Sequence, residues 1–122
     1  MNEVDLIERT KMFALRIIKL VNALPNTIVG RAMGGQLIRS GTSVGANYRA
    51  ACRGRSKAEF IAKMGTVVEE SDECADWLDL IAEAAVVPRA RVQSQEKEAD
   101  ELTSIFTASR KTAMRNLRAG VA

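Results

Sequence analysis

The sequence contains no histidine. That removes the side chain most often used as a general base near neutral pH, and the commonest metal ligand. Only two cysteines occur, Cys52 and Cys74, and they are too few and too far apart for a zinc site. Both fall at apolar helical positions and read as reduced core residues of a cytosolic protein, with a disulfide as the lesser alternative. Two prolines, Pro25 and Pro88, interrupt 122 residues, which leaves room for long helices. Aromatic residues are 4% of the chain, so a core must be assembled from Leu, Ile, Val, Met and Ala. No window approaches ~18 uncharged apolar residues, so no membrane span is expected. Glu3, Asp5 and Glu8 break up the N-terminus, and no signal peptide is read there. The expected location is the cytoplasm.

The length suits a single domain, residues 1–122, able to bury a core without staples. The net charge is only +3, but it is unevenly spread. Arg9 to Ala58 holds ten Lys and Arg and no acid; Met64 to Pro88 holds seven acids and no base; Leu102 onward holds four bases and no acid. Blocks separated in this way point to faces that meet each other or a charged partner.

Apolar spacing predicts helices over about 2–24, 27–53, 57–85 and 89–117. In the first, Leu6, Phe13, Ile17, Leu20 and Leu24 form one track, with Thr10 in its gap, and Ile7, Ala14, Ile18 and Val21 form a second. Arg9, Arg16 and Lys19 lie off the stripe. Asn2 or a neighbour can cap its start, Pro25 ends it, and Asn26 or Thr27 can cap the next helix. Gly54 is placed to stop the second helix, and Ser56 with Glu59 forms a capping box for the third. Along that helix Phe60, Met64, Val67, Ser71, Cys74, Leu78, Ile81 and Ala85 alternate by four and three, a seam suited to antiparallel bundle packing. Pro88 is acceptable in the first turn of the last helix, whose stripe is Val92, Ala99, Leu102, Phe106, Ala113 and Leu117. The predicted fold is all-α, an antiparallel up-down-up-down four-helix bundle.

Residues Gly34 to Arg55, GGQLIRSGTSVGANYRAACRGR, contain five glycines. A phosphate cradle would need a strand before the loop and a Lys-Ser or Lys-Thr pair after it, and neither is present. Gly30 and Gly34, and Gly41 and Gly45, are each four apart and fall on one side of a helix. Each costs about 1 kcal/mol relative to alanine in a helix interior. Gly34, Gly41 and Gly45 are therefore read as places where a neighbouring helix comes close.

The run GGQLIRSGTSVGANYRAA at Gly34 to Ala51, followed by SKAEFIAKM at Ser56 to Met64, resembles the four helix bundle proteins also called 23S ribosomal RNA intervening-sequence proteins. Glu70, Asp72 and Glu73 before Trp77-Leu78 fit the same pattern, as do Leu24-Pro25 and Arg31. Ala50 departs from it, standing where the family usually has Glu, and removes one expected salt-bridge partner. The resemblance implies a homopentamer. A more distant likeness is to the accessory protein of diversity-generating retroelements, a basic pentamer that works with nucleic acid and a reverse transcriptase.

Arg39, Ser43 and Asn47 share one helical face, and Glu70 and Glu73 lie on the polar track of the next helix. The plain reading is a polar network between helices or subunits, because Arg pairs well with carboxylate; the sharper one is a small ligand pocket. Glu69, Glu70, Asp72, Glu73, Asp76 and Asp79 suggest carboxylate metal ligands, but bundle sites of that class use Glu-x-x-His, so an acidic face is the better reading and no cofactor or metal is expected. Arg49, Arg53, Arg55 and Lys57 cluster at one end of the bundle, with Arg9, Lys11, Arg115 and Arg118 expected at the same pole. These form either a solvated helix end or a positive surface for phosphates. No nucleophile–base pair can be assembled, so an enzyme is not expected. The leading expectation is a homo-oligomeric module that binds RNA, DNA or a nucleic-acid enzyme; the alternative is a structural or protein-partner adaptor without nucleic-acid affinity.

Overall fold

The computed structural model describes residues 1–120. Four helices follow one another: α1 (Glu3–Asn22), α2 (Ile28–Cys52), α3 (Lys57–Glu83) and α4 (Gln93–Arg118), with a 3-10 turn at Arg89–Arg91 before the last. They pack as a four-helix bundle. α2 lies between α1 and α3, α3 lies against α4, and α1 meets α4 over a much narrower seam.

Local chemistry sets most of the helix ends. Asn2 and Asp5 form a reciprocal capping box at α1: the Asn2 side chain accepts from the Asp5 amide at 2.8 Å, and the Asp5 carboxylate accepts from the Asn2 amide at 3.3 Å. The hydroxyl of Thr27 accepts from the Gly30 amide at 3.0 Å and starts α2. At α3 only half of the expected box is reciprocal. The Ser56 hydroxyl accepts from the Glu59 amide at 3.1 Å, while the Glu59 carboxylate reaches the amide of Arg55, at 3.4 Å, rather than that of Ser56.

Three boundaries differ from expectation. α1 stops at Asn22, with Leu24 and Pro25 in the turn. α3 stops at Glu83, because Ala85 takes a left-handed φ of 54° and the Val86 amide donates back to the Ile81 carbonyl at 3.0 Å. α4 starts at Gln93 rather than near Pro88, whose carbonyl instead closes the 3-10 turn by accepting from the Arg91 amide.

The core follows the predicted stripes. Leu6, Phe13, Ile17, Leu20, Leu37, Val44, Met64, Val67, Leu78, Ile81, Val92, Leu102 and Phe106 are buried, and the Phe106 ring lies 5.1 Å from that of Tyr48. The seam of α3 frays at both ends, where Phe60 is half-buried and Ala85 exposed; Leu117 is exposed as well. Three small hydroxyl residues, Thr10, Ser40 and Ser71, sit fully inside. Thr10 donates to its own helix at the Leu6 carbonyl, Cys74 Sγ donates to Ser40 Oγ at 3.3 Å, and Thr103 Oγ1 lies 3.0 Å from Ser71 Oγ. Each buried polar group is therefore paired, which avoids the cost of an unsatisfied one. Both cysteines are free thiols, and burial pushes Cys74 up to about 12 and raises Cys52 as well.

The glycines of α2 serve two kinds of close approach. A Cβ on Gly41 would stand 2.8 Å from Ile17 Cγ2, one on Gly45 would stand 3.1 Å from Thr10 Oγ1, and one on Gly34 would stand 3.2 Å from Val21 and Leu24. These three face α1 and the turn after it. Gly30 faces backbone instead: its Cβ would lie 2.0 Å from the carbonyl oxygen of Pro25. Gly35 faces open space.

Candidate nucleic-acid interface

The turn from α2 to α3 and the last turns of α4 come together at one end of the bundle. Gly54, Arg55, Ser56, Lys57 and Phe60 line a cleft of about 470 Å³ with Ala113 and Asn116. Arg49 lies in the last turn of α2 and Arg53 is its C-cap; Arg115 and Arg118 are in the last turn of α4. Cations at helix C-termini are stabilised by the carbonyl end of the helix dipole, so their position has a local cause as well. Arg49, Arg53, Arg55, Arg115 and Arg118 are exposed, and Lys57 is half-buried. Among the described residues, none of these six has a carboxylate within salt-bridge distance. Arg49 folds back along α2, with a guanidinium nitrogen 3.3 Å from where a Gly45 Cβ would be.

Arg9 departs from the expected cluster. Its guanidinium donates to Glu98 at 2.6 and 2.8 Å and to Glu101 at 2.7 Å, so α4 carboxylates neutralise it. Those bonds hold its pKa above the ordinary arginine value. Lys11 is exposed on the side of α1 away from the core. Arg39 lies between Glu70, at 3.3 Å, and Glu73 on α3. Its side chain is 48% exposed, so this is a surface pair worth about 0–1 kcal/mol rather than a buried network. Ser43 and Asn47 do not join it: each donates to a carbonyl of its own helix, Arg39 and Ser43 respectively. Trp77 Nε1 donates to Glu73 at 3.3 Å.

Two arginines escaped the sequence reading. Arg110 donates to the Ile61 carbonyl at 3.0 Å and ties α4 to α3. Arg89 holds Asp79 at 3.0 Å, Glu83 at 3.1 Å and Glu96 at 2.7 Å, which pins the 3-10 turn to both flanking helices. Neither is visible as a local motif, since each depends on the register between helices.

The Arg9–Glu98 pair makes a pH prediction. Arg9 holds the Glu98 carboxyl below the usual carboxylate range. A carboxyl depressed in the folded state adds stability above its unfolded pKa, about 4.3, and that contribution is lost as pH falls through the folded value. Glu98→Gln is expected to cost about 1 kcal/mol at pH 7 and to flatten the fall of Tm in acid. Parallel melting curves for the two proteins from neutral pH into acid would count against this pairing.

No helix among the described residues is long and apolar enough to cross a membrane. None of the curated proteins matches the chain with significant similarity. A solved structure of a protein of unknown function from the S23 ribosomal protein family of Bacteroides thetaiotaomicron is 31% identical, covers 86% of this chain and 97% of that one, and superposes with a TM-score of 0.80. The family described as 23S rRNA-intervening sequence protein matches residues 2–108, and the chain belongs to that family.

Proposed function

We propose that this protein is a non-enzymatic homo-oligomeric module, pentameric as the family resemblance implies, which binds nucleic acid or a nucleic-acid-processing partner through its basic pole. The observation that carries this reading is the contrast among its arginines. Arg9, Arg39 and Arg89 are paired with carboxylates of their own chain. Arg49, Arg53, Arg55, Lys57, Arg115 and Arg118 gather at one end without such partners among the described residues. Unpaired cations cost self-repulsion and become favourable when phosphates displace their counterions. Repeated around a ring, the pole makes a continuous positive surface. Val4, Met12 and Leu15 are exposed on one side of α1, and Ile28 is 78% exposed at the start of α2, which supplies apolar surface for self-association.

The adaptor reading draws on the internally paired arginines, whose charge is unavailable to phosphates. Native mass spectrometry with and without a short RNA separates the two. The nucleic-acid reading expects an assembly five times 13.3 kDa that gains the mass of whole RNA molecules at low salt. The same assembly without added RNA mass would favour the adaptor, and a monomer in both conditions would sink the oligomeric reading.

A further inference from the structure

The opposite end of the bundle carries a second group of cations. Arg16, Lys19 and Leu20 from α1, Ala23 at its end, Arg91 from the 3-10 turn and Gln95 from α4 line a cleft of about 340 Å³. That volume is at the lower end of small-molecule sites. The lining holds three basic side chains and no acid. Arg16 is half-buried and donates to the neutral hydroxyl of Ser94 at 2.6 Å, which fixes its guanidinium at the cleft wall. Among the described residues, neither Lys19 nor Arg91 has a carboxylate within salt-bridge distance.

The 3-10 turn gives its two arginines opposite fates. Arg89 is held by three carboxylates, Asp79, Glu83 and Glu96. Val87 and Val92 on either side are buried in the core. The backbone between them is therefore fixed, and Arg91 is carried to the cleft on a rigid support rather than on a mobile loop. The nearby acids are already engaged: Glu96 by Arg89 and Glu98 by Arg9. Glu98 still feels the charge of Arg16, so the positive field is partly offset on that side. α1 ends and α4 begins beside the cleft, and their end charges oppose one another. The three side-chain cations therefore set its sign.

We propose that this cleft binds a phosphate monoester, with Arg16 and Arg91 as fork-shaped donors to its oxygens, Lys19 as a point charge, and Leu20 and Ala23 as an apolar floor for the group attached to it. The site is at the other end of the molecule from the basic pole and does not depend on the function proposed above. The phosphate comes either from a free small ester or from the 5′ end of a nucleic-acid strand.

Calorimetric titration of the full chain with inorganic phosphate and with adenosine 5′-monophosphate at low salt tests it. Binding is expected for the nucleotide, weakened at least about tenfold in Lys19→Gln/Arg91→Gln and unchanged in Lys63→Gln/Lys111→Gln, which lose the same charge outside the cleft. Both replaced side chains of the first variant are exposed, and an unaltered melting curve verifies that it folds. Absence of binding by the nucleotide, or equal binding by the Lys19→Gln/Arg91→Gln variant, would overturn the proposal. Within the Arg53→Gln/Arg55→Gln background, a 5′-phosphorylated oligonucleotide that outcompetes its 5′-hydroxyl counterpart identifies a strand end as the source. Equal competition by the two, with the nucleotide still bound, identifies a free ester.

Discussion

Replacing Gly41 with leucine is expected to lower Tm by about 10 °C, whereas Gly35→Ala in the same helix is expected to raise it by about 2–4 °C. At Gly41 a single added carbon already stands 2.8 Å from Ile17 Cγ2 and 3.2 Å from two further Ile17 carbons. Ile17 is fully buried, and its β-branched side chain has essentially one rotamer available within a helix. It cannot swing aside, so α1 must move away from α2, while α3 on the other side of α2 leaves no room to share the shift. Overpacking of this kind costs about 1–3 kcal/mol, and leucine falls at the upper end or beyond. The better helix propensity of leucine returns somewhat under about 1 kcal/mol, which is too little to offset it. Gly35 is exposed and a Cβ there meets nothing within 4 Å, so only the propensity gain remains. Melting curves paired with native mass measurements read both effects. An unchanged Tm for Gly41→Leu would mean that close helix approach is not what this glycine serves. Loss of assembly in Gly35→Ala would put the outer side of α2 in a subunit interface.

How much of this was legible in the sequence depends on the range of the interaction. The cap at Ser56 was readable, and those at Asn2 and Thr27 to within a neighbouring residue, because side chain and amide lie within three residues of each other. The alternation from Met64 to Ile81 was readable because burial on a straight helix repeats with its own period. The end of α3 was not, because a left-handed residue there is usually glycine and this chain uses Ala85. The start of α4 was misplaced for a related reason: Pro88 suits a first helical turn, and nothing local says that three residues of 3-10 helix come first. Arg9 was assigned to the basic pole from its position near the N-terminus. Its partners, Glu98 and Glu101, are set by how α1 sits against α4, which no local pattern encodes. A polar network of Arg39 with Glu70 and Glu73 was readable from their shared helical faces, yet its exposure was not, since facing positions on adjacent helices can lie in the seam or on its rim. Arg16 and Lys19 stood in the sequence only as bases off the apolar stripe of the first helix, and it is the 3-10 turn that brings Arg91 to them.

Reversing the charge of Arg53, Arg55 and Arg115 to Glu is expected to weaken RNA or DNA binding by more than about a hundredfold at low salt, and to change its salt dependence. With six bases on phosphates, the log of the binding constant is expected to fall with log salt at a slope of about −5 for a duplex; with three left, about −3. Repulsion by the new carboxylates adds to the loss of affinity. The three side chains are exposed and lack carboxylate partners among the described residues, so the fold is expected to keep its Tm within a few degrees. Net charge alone would also weaken binding, and the control is an equal change elsewhere: Arg31→Glu, Lys63→Glu and Lys97→Glu, which lie outside the cleft at the pole. Arg9→Gln supplies a second control, because Glu98 and Glu101 already cancel its charge within the fold, and its slope should match that of the wild type. Fluorescence anisotropy across a salt series reads all four proteins. If both triple variants lose affinity equally and keep the same slope, binding follows net charge rather than the pole. The adaptor reading then becomes the better account of why this end of the bundle is basic.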